Sequence, residues 1–347
     1  MTMSDARCEA AIQRGVEFLQ RRQLPSGEFE TLAGPDPDFV SNSQPDPILF
    51  TTVHVAISLL EVRHDAAAEM VPRAAEFLRS EMLPGGLWRF WTASHPGSPG
   101  IPPDTDDTAC IAHLLQQLGI PFPDNRASLL GNRSPQETFY TWILPRPRHL
   151  LHPGAWHLFR RSAKAREAVA IFFRSGQEPP DPLGVEAVVN ANALLYLGDG
   201  PHTSCVSRWL ADVVRQGRAT SSDRYYQSEY ALFHALARCI EHGVASLQDL
   251  SAVMVRRIEA SEPAALPALE CALAACALSI LAPASPSLPA LIECLLAAQQ
   301  PDGGWPARVF YYGGYKRCRA WGSAELTTGF CLEALARYQR TRSGCAS

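Results

Sequence analysis

The sequence feature that most constrains the fold is an alternation of two kinds of helical segment along the 347 residues. One kind is poor in charge and rich in small apolar residues, so such helices should be buried on all sides. The other kind is amphipathic and should expose a charged face. The buried kind is predicted at 46–61, 104–119, 184–198, 225–239, 265–281 and 322–338. The amphipathic kind is predicted at 6–22, 67–81, within 125–143 or 160–174, and at 203–216, 246–260 and 287–299.

The alternation also indicates how the helices are arranged in space. Strand patterns are almost absent, and loops rich in proline and glycine separate the helical segments. Buried and amphipathic helices that alternate at a repeat of roughly 40 to 80 residues are typical of one repeat architecture rather than of separate domains. We therefore expect an all-α fold, an (α/α)6 barrel in which residues 1–347 form a single domain. Its cavity would be lined by the inner helices and by the loops at one end.

A short turn motif recurs where an amphipathic helix ends. The segments FLQRRQLPSGEFE (18–30), FLRSEMLPGGLWRF (77–90) and CLLAAQQPDGGWPA (294–307) each run from a helix end through glycine to an aromatic residue. Glycine readily adopts the left-handed conformation that ends a helix, and the aromatic side chain can pack back against that helix. The motif predicts a turn that joins each of these outer helices to the next inner helix.

The segment IPPDTDDTAC (101–110) places Asp104, Asp106 and Asp107 at the start of a predicted inner helix. Helix capping accounts for one or two of these aspartates, because the helix dipole favours negative charge at this end. Three aspartates within four positions, on a helix that otherwise lacks charge, favour a chemical role. Neighbouring carboxylates raise the pKa of the one that keeps its proton, and amides at the helix start can stabilise the anion that remains after proton transfer.

Two of these motifs resemble those of a known family. The turn QQPDGGW (299–305) is similar to the Gln-Trp motif of squalene-hopene and oxidosqualene cyclases, and DTDDTA (104–109) resembles the DxDD acid motif of squalene-hopene cyclase and other class II terpene cyclases. The resemblance covers most of the chain and implies the barrel fold. It also implies that Asp106 is the general acid, flanked by Asp104 and Asp107, and that it protonates a double bond of a linear isoprenoid or prenylated substrate. Class II cyclases typically pair two barrels, whereas this chain has residues for one.

Aromatic residues cluster in the loops predicted to rim the cavity, where their π-faces can stabilise carbocations without offering a nucleophile. They are Trp88, Phe90, Trp91, Tyr225, Tyr226, Phe310, Tyr311, Tyr312, Tyr315 and Trp321. The predicted substrate contacts are Trp88, Trp91, Tyr226, Tyr312, Trp321, Asn190 and His113. Ordinary loop packing is the alternative for each aromatic residue. Other polar residues of the inner helices, including His54, Glu186, Asn192 and His234, are expected to hydrogen-bond between helices. For Glu186, four residues before Asn190, a position facing the cavity is the open alternative.

No metal is predicted at the acidic segment. Asp106, Cys110 and His113 share one face of the inner helix, and their residue types are the zinc ligands of protein prenyltransferases. Metal sites drawn from one helix at this spacing are uncommon, so a core or cavity-lining role is favoured for Cys110 and His113. Protonation requires no cofactor. The sequence also lacks a DDxxD cluster, which disfavours ionisation-initiated cyclisation, and Mg²⁺ is expected only if the substrate carries a diphosphate.

The composition of the chain indicates which kinds of binding partner to expect. The formal net charge of -4 and the pI near 6.2 give no electrostatic reason to expect nucleic acid. The N-terminal segment lacks the apolar core of a signal peptide, so we expect a cytoplasmic protein that binds an apolar isoprenoid. Transient membrane contact is an open alternative for such a ligand. The segment 144–166, with Trp156 and Phe159, is interpreted as a solvated loop, a lid, an anion-binding patch or a membrane-contacting flap.

Two rival interpretations of the whole chain stay open. One is a non-catalytic barrel that binds isoprenoids or lipids, in which the aspartates only cap a helix. The other is a barrel resembling the β-subunit of protein prenyltransferases, which needs a partner subunit. The sequence does not distinguish a monomer from a homo-oligomer or from a protein that needs a second barrel.

Overall fold

The computed structural model describes residues 3–158, 181–313 and 317–344, and the chain there is mostly helical with a small sheet. Among the residues described, the helices are α1 (Met3–Arg22), α2 (Phe50–Leu59), α3 (Asp65–Ser80), α4 (Thr105–Gln117), α5 (Arg126–Gly131), α6 (Ala187–Leu197), α7 (Ser204–Arg215), α8 (Glu229–Glu241), α9 (Ser251–Glu259), α10 (Ala268–Leu281), α11 (Ser287–Ala298) and α12 (Ala324–Gly344). All six predicted inner helices are present, as the even-numbered elements from α2 to α12. None of the described helices is long and apolar enough to cross a membrane.

The even-numbered helices form a closed ring. Each packs against the next, in the order α2, α4, α6, α8, α10, α12, and α12 packs back against α2. Their side chains are buried almost throughout, as the low charge of these segments predicts. The mostly helical fold and the order of the inner helices therefore agree with the alternation in the sequence.

The odd-numbered helices pack outside this ring and expose their polar faces. Helix α1 contacts α3 and α12, while α7 contacts α6, and α11 contacts α10 and α12. The predicted helix within 125–143 is only the short α5, and the alternative position at 160–174 lies outside the described residues.

A four-stranded antiparallel sheet was not anticipated from the sequence. Its strands β1 (Leu32–Gly34), β2 (Gln44–Pro45), β3 (Arg308–Gly313) and β4 (Arg319–Ser323) lie in the order β2-β1-β4-β3. The sheet joins segments from the two ends of the chain. It lies near the N-terminal end of α2, because the rings of Phe50 and Tyr311 are 5.2 Å apart.

The glycine turns join outer to inner helices as predicted. The indole nitrogen of Trp305 donates to the carbonyl of Leu295 on α11 (2.8 Å), and its backbone N–H donates to the hydroxyl of Thr328 on α12 (3.0 Å). Trp88 makes the same pair of hydrogen bonds to α3 and α4, at 2.7 and 3.1 Å. Gly303 has a φ of 94°, and a Cβ there would collide with a carbonyl oxygen of α1. These turns fix the position at which an inner helix starts.

Candidate functional site

The acidic segment forms the first turn of α4. Asp104 is the N-cap residue, with extended backbone angles, and its side chain accepts a hydrogen bond from the backbone N–H of Asp107 (2.8 Å). The loop before it is held on both sides, because the N–H of Asp104 donates to the carbonyl of Trp88 and the N–H of Thr105 donates to that of Thr141. The capping interpretation is therefore correct for Asp104. It does not account for the side chains of Asp106 and Asp107.

All three carboxyl groups are less than one-tenth exposed, and burial raises the pKa of each. The pKa of Asp104 is raised to about 7. That of Asp107 is raised well above its ordinary value, first by burial and then by the charge of Asp104. For Asp106, two hydrogen-bond donors oppose the effect of burial on the pKa. The segment therefore holds protons at a pH where exposed aspartates are ionised.

Asp106 lies between two donors from other inner elements. Its Oδ1 accepts from the side-chain amide of Asn192 on α6 (2.8 Å), and its Oδ2 accepts from the hydroxyl of Tyr226, just before α8 (2.6 Å). Both oxygens keep a hydrogen bond if the group loses its proton, so the anion is stabilised in a site with little water. The arrangement suits a carboxylic acid that must give up a proton.

Asp223 positions Tyr226. One oxygen of Asp223 accepts from the backbone N–H groups of Tyr225 (3.0 Å) and Tyr226 (2.8 Å), and the other accepts from Val188 in the first turn of α6 (2.9 Å). This buried carboxylate ties the loop before α8 to the start of α6, the two elements that donate to Asp106. Sequence reasoning missed Asp223, although an aspartate in a loop readily accepts from a backbone N–H two residues on, as in an Asx turn.

An aromatic wall continues from Tyr226 into the ring. The Tyr226 ring lies 5.3 Å from that of Phe310, which in turn lies 5.8 Å from Phe50 and 5.1 Å from Phe330. Phe50 also contacts Tyr311, which stacks on Trp321 at 5.5 Å with an angle of 7° between the rings. The wall is Phe50, Tyr226, Phe310, Tyr311, Trp321 and Phe330. It offers π-faces next to the acid, with few hydrogen-bonding groups.

The structure brings some of the predicted aromatic residues together at this wall. Tyr226 and Trp321 belong to it, and Trp91 lies beside it, in contact with Phe90. Tyr312 does not: it is only partly buried and packs toward the outer face of the sheet, while its neighbour Tyr311 faces the wall. A β-bulge between residues 309 and 311 determines which of the two tyrosines faces the wall, and the bulge could not be inferred from the sequence. Tyr315 lies outside the described residues.

Three other predicted contacts belong elsewhere in the structure. Trp88 is fully buried in its turn, where its N–H is bonded to α3, so we assign it to packing. Asn190 bonds the backbone of Phe139 and Glu186 and acts as a strut, whereas Asn192 reaches the acid. His113 lies two helical turns beyond Asp106, where its Nε2 contacts Gln117.

Among the described residues, only His234, Cys276 and Glu333 are grouped as metal ligands would be. Glu333 already accepts from Arg337 (2.9 Å) and from Ser58 (3.0 Å), and this ion pair holds the carboxylate without a metal. The group does not include Asp106, Cys110 or His113. These three have different surroundings, since His113 faces the ring of His242 at 5.1 Å while Asp106 faces Asn192 and Tyr226.

The described part of segment 144–166 carries apolar side chains on its surface. Leu150 is 59%, Leu151 77% and Trp156 54% exposed. Phe159 and the rest of the segment lie outside the described residues. Exposed leucine and tryptophan side chains are compatible with a membrane-contacting flap, and the four interpretations of this segment stay predictions.

The substitution Tyr226→Phe tests the hydrogen bond to Asp106. The hydroxyl lowers the pKa of Asp106 against the effect of burial, so its removal should leave a weaker acid. For a reaction that Asp106 starts by giving up its proton, we expect kcat to fall about 10- to 100-fold, and the alkaline limb of the pH–rate profile to move to higher pH because the acid keeps its proton longer. Tyr225→Phe is the matched control, since the Tyr225 hydroxyl interacts with Trp142 instead. An unchanged kcat and pH profile in Tyr226→Phe would contradict the role assigned to this hydroxyl.

The raised pKa of Asp104 predicts pH-dependent stability. Between the ordinary value of 3.8 and the folded value of about 7, this group binds more protons in the folded state. The free energy of unfolding therefore falls as pH rises through that window. Asparagine is also a good N-cap, so Asp104→Asn should keep the cap and remove this contribution. Relative to the unmodified protein, we expect the variant to gain about 2–4 kcal/mol between pH 4 and pH 8. Urea unfolding at both pH values measures it, and a stability difference that does not change with pH would exclude the raised pKa.

Comparison with known proteins identifies the fold. Over nearly the whole length of both chains, the structure matches a protein from Actinoplanes with a TM-score of 0.68 and 20% identity, covering 97% of this chain and 99% of that one. It matches the type II terpene cyclase MstE from Scytonema with a TM-score of 0.63 and 17% identity, covering 97% and 99%. A variant of MstE in complex with its substrate, geranylgeranyl dihydroxybenzoate, matches with a TM-score of 0.65 and 14% identity, covering 98% and 100%. No protein-family model matches the sequence, and no curated protein does either.

This chain therefore has the fold of a type II terpene cyclase, and the expected resemblance is confirmed at that level. MstE is covered almost completely by a chain that has residues for one barrel. The matched chain of this type II terpene cyclase therefore has about the length of the present one.

Proposed function

We propose that this protein is a class II terpene cyclase in which Asp106 protonates a terminal alkene of a linear isoprenoid or prenylated substrate. The observation that carries the proposal is the surroundings of Asp106. It is a buried carboxyl with a raised pKa, it faces two hydrogen-bond donors, and it adjoins an aromatic wall. The similarity to MstE supports the same general kind of function.

The reaction begins when the O–H bond of Asp106 breaks and its proton forms a C–H bond with the electron pair of the alkene. The neighbouring carbon becomes a cation, which the next double bond attacks to close a ring. Asn192 and Tyr226 stabilise the carboxylate that remains. Loss of a proton or addition of water ends the cascade. In the first case the product is an isomer of the substrate.

The aromatic wall stabilises the cations as they form. The rings of Tyr226, Phe310 and Phe50 follow one another at centroid distances of 5.3 and 5.8 Å. Each π-face attracts a cation but cannot trap it covalently. Burial of the wall also excludes the water that would otherwise quench the cation early.

A barrel that only binds isoprenoids is the second candidate, because the side chain of Asp104 does cap α4. It predicts that Asp104, Asp106 and Asp107 can all be replaced by asparagine or serine with ligand binding retained, and that the unmodified protein forms no product. A barrel that resembles a prenyltransferase β-subunit predicts instead that product forms only with a partner subunit present.

Incubation of the purified protein with squalene, farnesyl diphosphate, geranylgeranyl diphosphate and geranylgeranyl dihydroxybenzoate, each with and without Mg²⁺, tests the proposal. Chromatography with mass spectrometry detects a cyclic product that has the mass of its substrate or that mass plus water. We expect such a product from at least one compound without any partner protein. Saturable binding without any product would favour the binding barrel.

A further inference from the structure

Arg238 on α8 is a buried cation that interacts electrostatically with Glu333 but is not hydrogen-bonded to it. Its side chain is only 3% exposed, and among the residues that the structure describes its guanidinium makes no hydrogen bond or ion pair. A buried charge is costly unless a group of opposite charge pairs with it. The hydrogen-bond donors of this guanidinium are therefore not used by any of the described side chains.

Arg238 lies close to three histidine side chains, because its charge affects their pKa values. Its charge lowers the pKa of His54 on α2, of His113 on α4 and of His234 on its own helix, in each case after the larger effect of burial. His54 and His234 both lie against the ring of Phe330, at 5.7 and 5.4 Å. Arg238 therefore lies near the imidazoles that pack on Phe330, at the end of the aromatic wall.

His54 offers a second group for a ligand at this point. It is 4% exposed, and neither ring nitrogen has a hydrogen-bond partner in the described part of the chain. Buried imidazole nitrogens are rarely left without partners. Since burial and Arg238 keep this imidazole neutral, one nitrogen carries a hydrogen that a ligand oxygen can accept.

The carboxylate near His234, that of Glu333, already has hydrogen-bond partners. Glu333 has a pKa well below its ordinary value, because its interactions with His234, Arg337 and Arg238 outweigh the opposing effect of burial. Its oxygens accept from Arg337 at 2.9 Å and from Ser58 at 3.0 Å, and one lies 3.3 Å from a nitrogen of His234. Arg337 is the direct partner of Glu333, which leaves Arg238 without a hydrogen-bonded carboxylate.

We propose that Arg238, with His54 as a second donor, binds an anionic head group of the substrate. This inference rests on the proposed function, since it assigns the end of the isoprenoid opposite to the reacting alkene. The charge of Arg238 lowers the pKa of His113. His113 lies seven residues after Asp106 on α4, a distance of about 10 Å along the helix. The substrate then spans the wall, with its alkene at Asp106 and a carboxylate or diphosphate at Arg238.

The test measures binding rather than turnover, in an Asp106→Asn protein that cannot consume the ligand. The probes are geranylgeraniol, geranylgeranyl diphosphate and geranylgeranyl dihydroxybenzoate, which share one chain and differ in head group. We expect at least one anionic probe to bind about 10- to 100-fold more tightly than the alcohol. Arg238→Gln should abolish that preference and leave the alcohol unaffected, and Arg238→Lys should keep part of it. Arg256→Gln, which removes an exposed cation from α9, is the matched control.

The diphosphate and the benzoate distinguish the two sources of negative charge. Equal affinity of all three probes would overturn the inference, and so would an equal loss of affinity for the alcohol and the anions in Arg238→Gln. An absence of saturable binding by both anionic probes would overturn it as well. Product formation by the unmodified protein is a separate measurement, so an anion preference without product would remove the proposed function and leave the anion site standing.

Discussion

Asp106→Asn should abolish product formation, with a loss of at least about 10³-fold in kcat, while the protein stays folded. Asparagine has the same shape as aspartic acid but carries no acidic proton. The buried carboxyl has a raised pKa, so its replacement removes a group that is costly to ionise in the folded state. The melting temperature of the variant should therefore equal or exceed that of the unmodified protein. Product yield and thermal unfolding measure the two effects.

The control for this substitution is Asp249→Asn, which removes an exposed carboxylate and should change neither activity nor stability. Asp107→Asn tests whether the role of Asp106 is distinct from that of the neighbouring aspartate. Asp107 shares the raised pKa but makes no hydrogen bond to Asn192 or Tyr226, so we expect it to retain measurable activity. Full activity of Asp106→Asn would disprove the assignment of Asp106 as the acid.

Trp305→Ala should destabilise the protein by about 3–5 kcal/mol. Trp305 is fully buried and hydrogen-bonded to both α11 and α12, so its removal leaves a cavity where an outer helix meets an inner helix. Because Trp305 lies outside the aromatic wall, the remaining folded protein should keep its product pattern. Urea unfolding measures the first effect and product analysis the second.

Trp156→Ala is the matched control, since this tryptophan is 54% exposed and should cost little stability when truncated. Trp305→Phe retains much of the volume but loses the N–H donor, and its cost should lie between the two. Equal stability of Trp305→Ala and Trp156→Ala would show that the turn motif does not hold the outer helices in place.

The ring of inner helices could be predicted because a helix that is buried on all sides has few charged residues in its sequence. Segments such as 184–198 and 265–281 each contain a single charged residue, near the start, and a surface helix with so little charge would expose a large apolar area. The acidic segment was predictable for a related reason, since three aspartates on a helix without other charges are costly unless they are used. Both features depend on short stretches of chain, which sequence reasoning can evaluate.

Two kinds of feature could not be predicted: which side chains of a helix or strand face the site, and which strands pair when they are far apart in the sequence. Asn190 and Asn192 lie on a helix that is apolar all round, so nothing in the pattern shows which of them faces Asp106. Tyr311 and Tyr312 exchange roles because of a bulge. The sheet pairs β1 with β4, segments almost 290 residues apart in the sequence, and its short strands contain glycine and proline.

The most direct test of the central claim is a reaction in D2O with the substrate that gives product, followed by mass spectrometry and NMR of the product. Protonation by Asp106 predicts one non-exchangeable deuterium in the cyclic product, on the carbon of the former terminal alkene, because the buried acid exchanges its proton with solvent between turnovers. A cyclic product without deuterium would contradict the account, since cyclisation would then start in a way that does not need the acid.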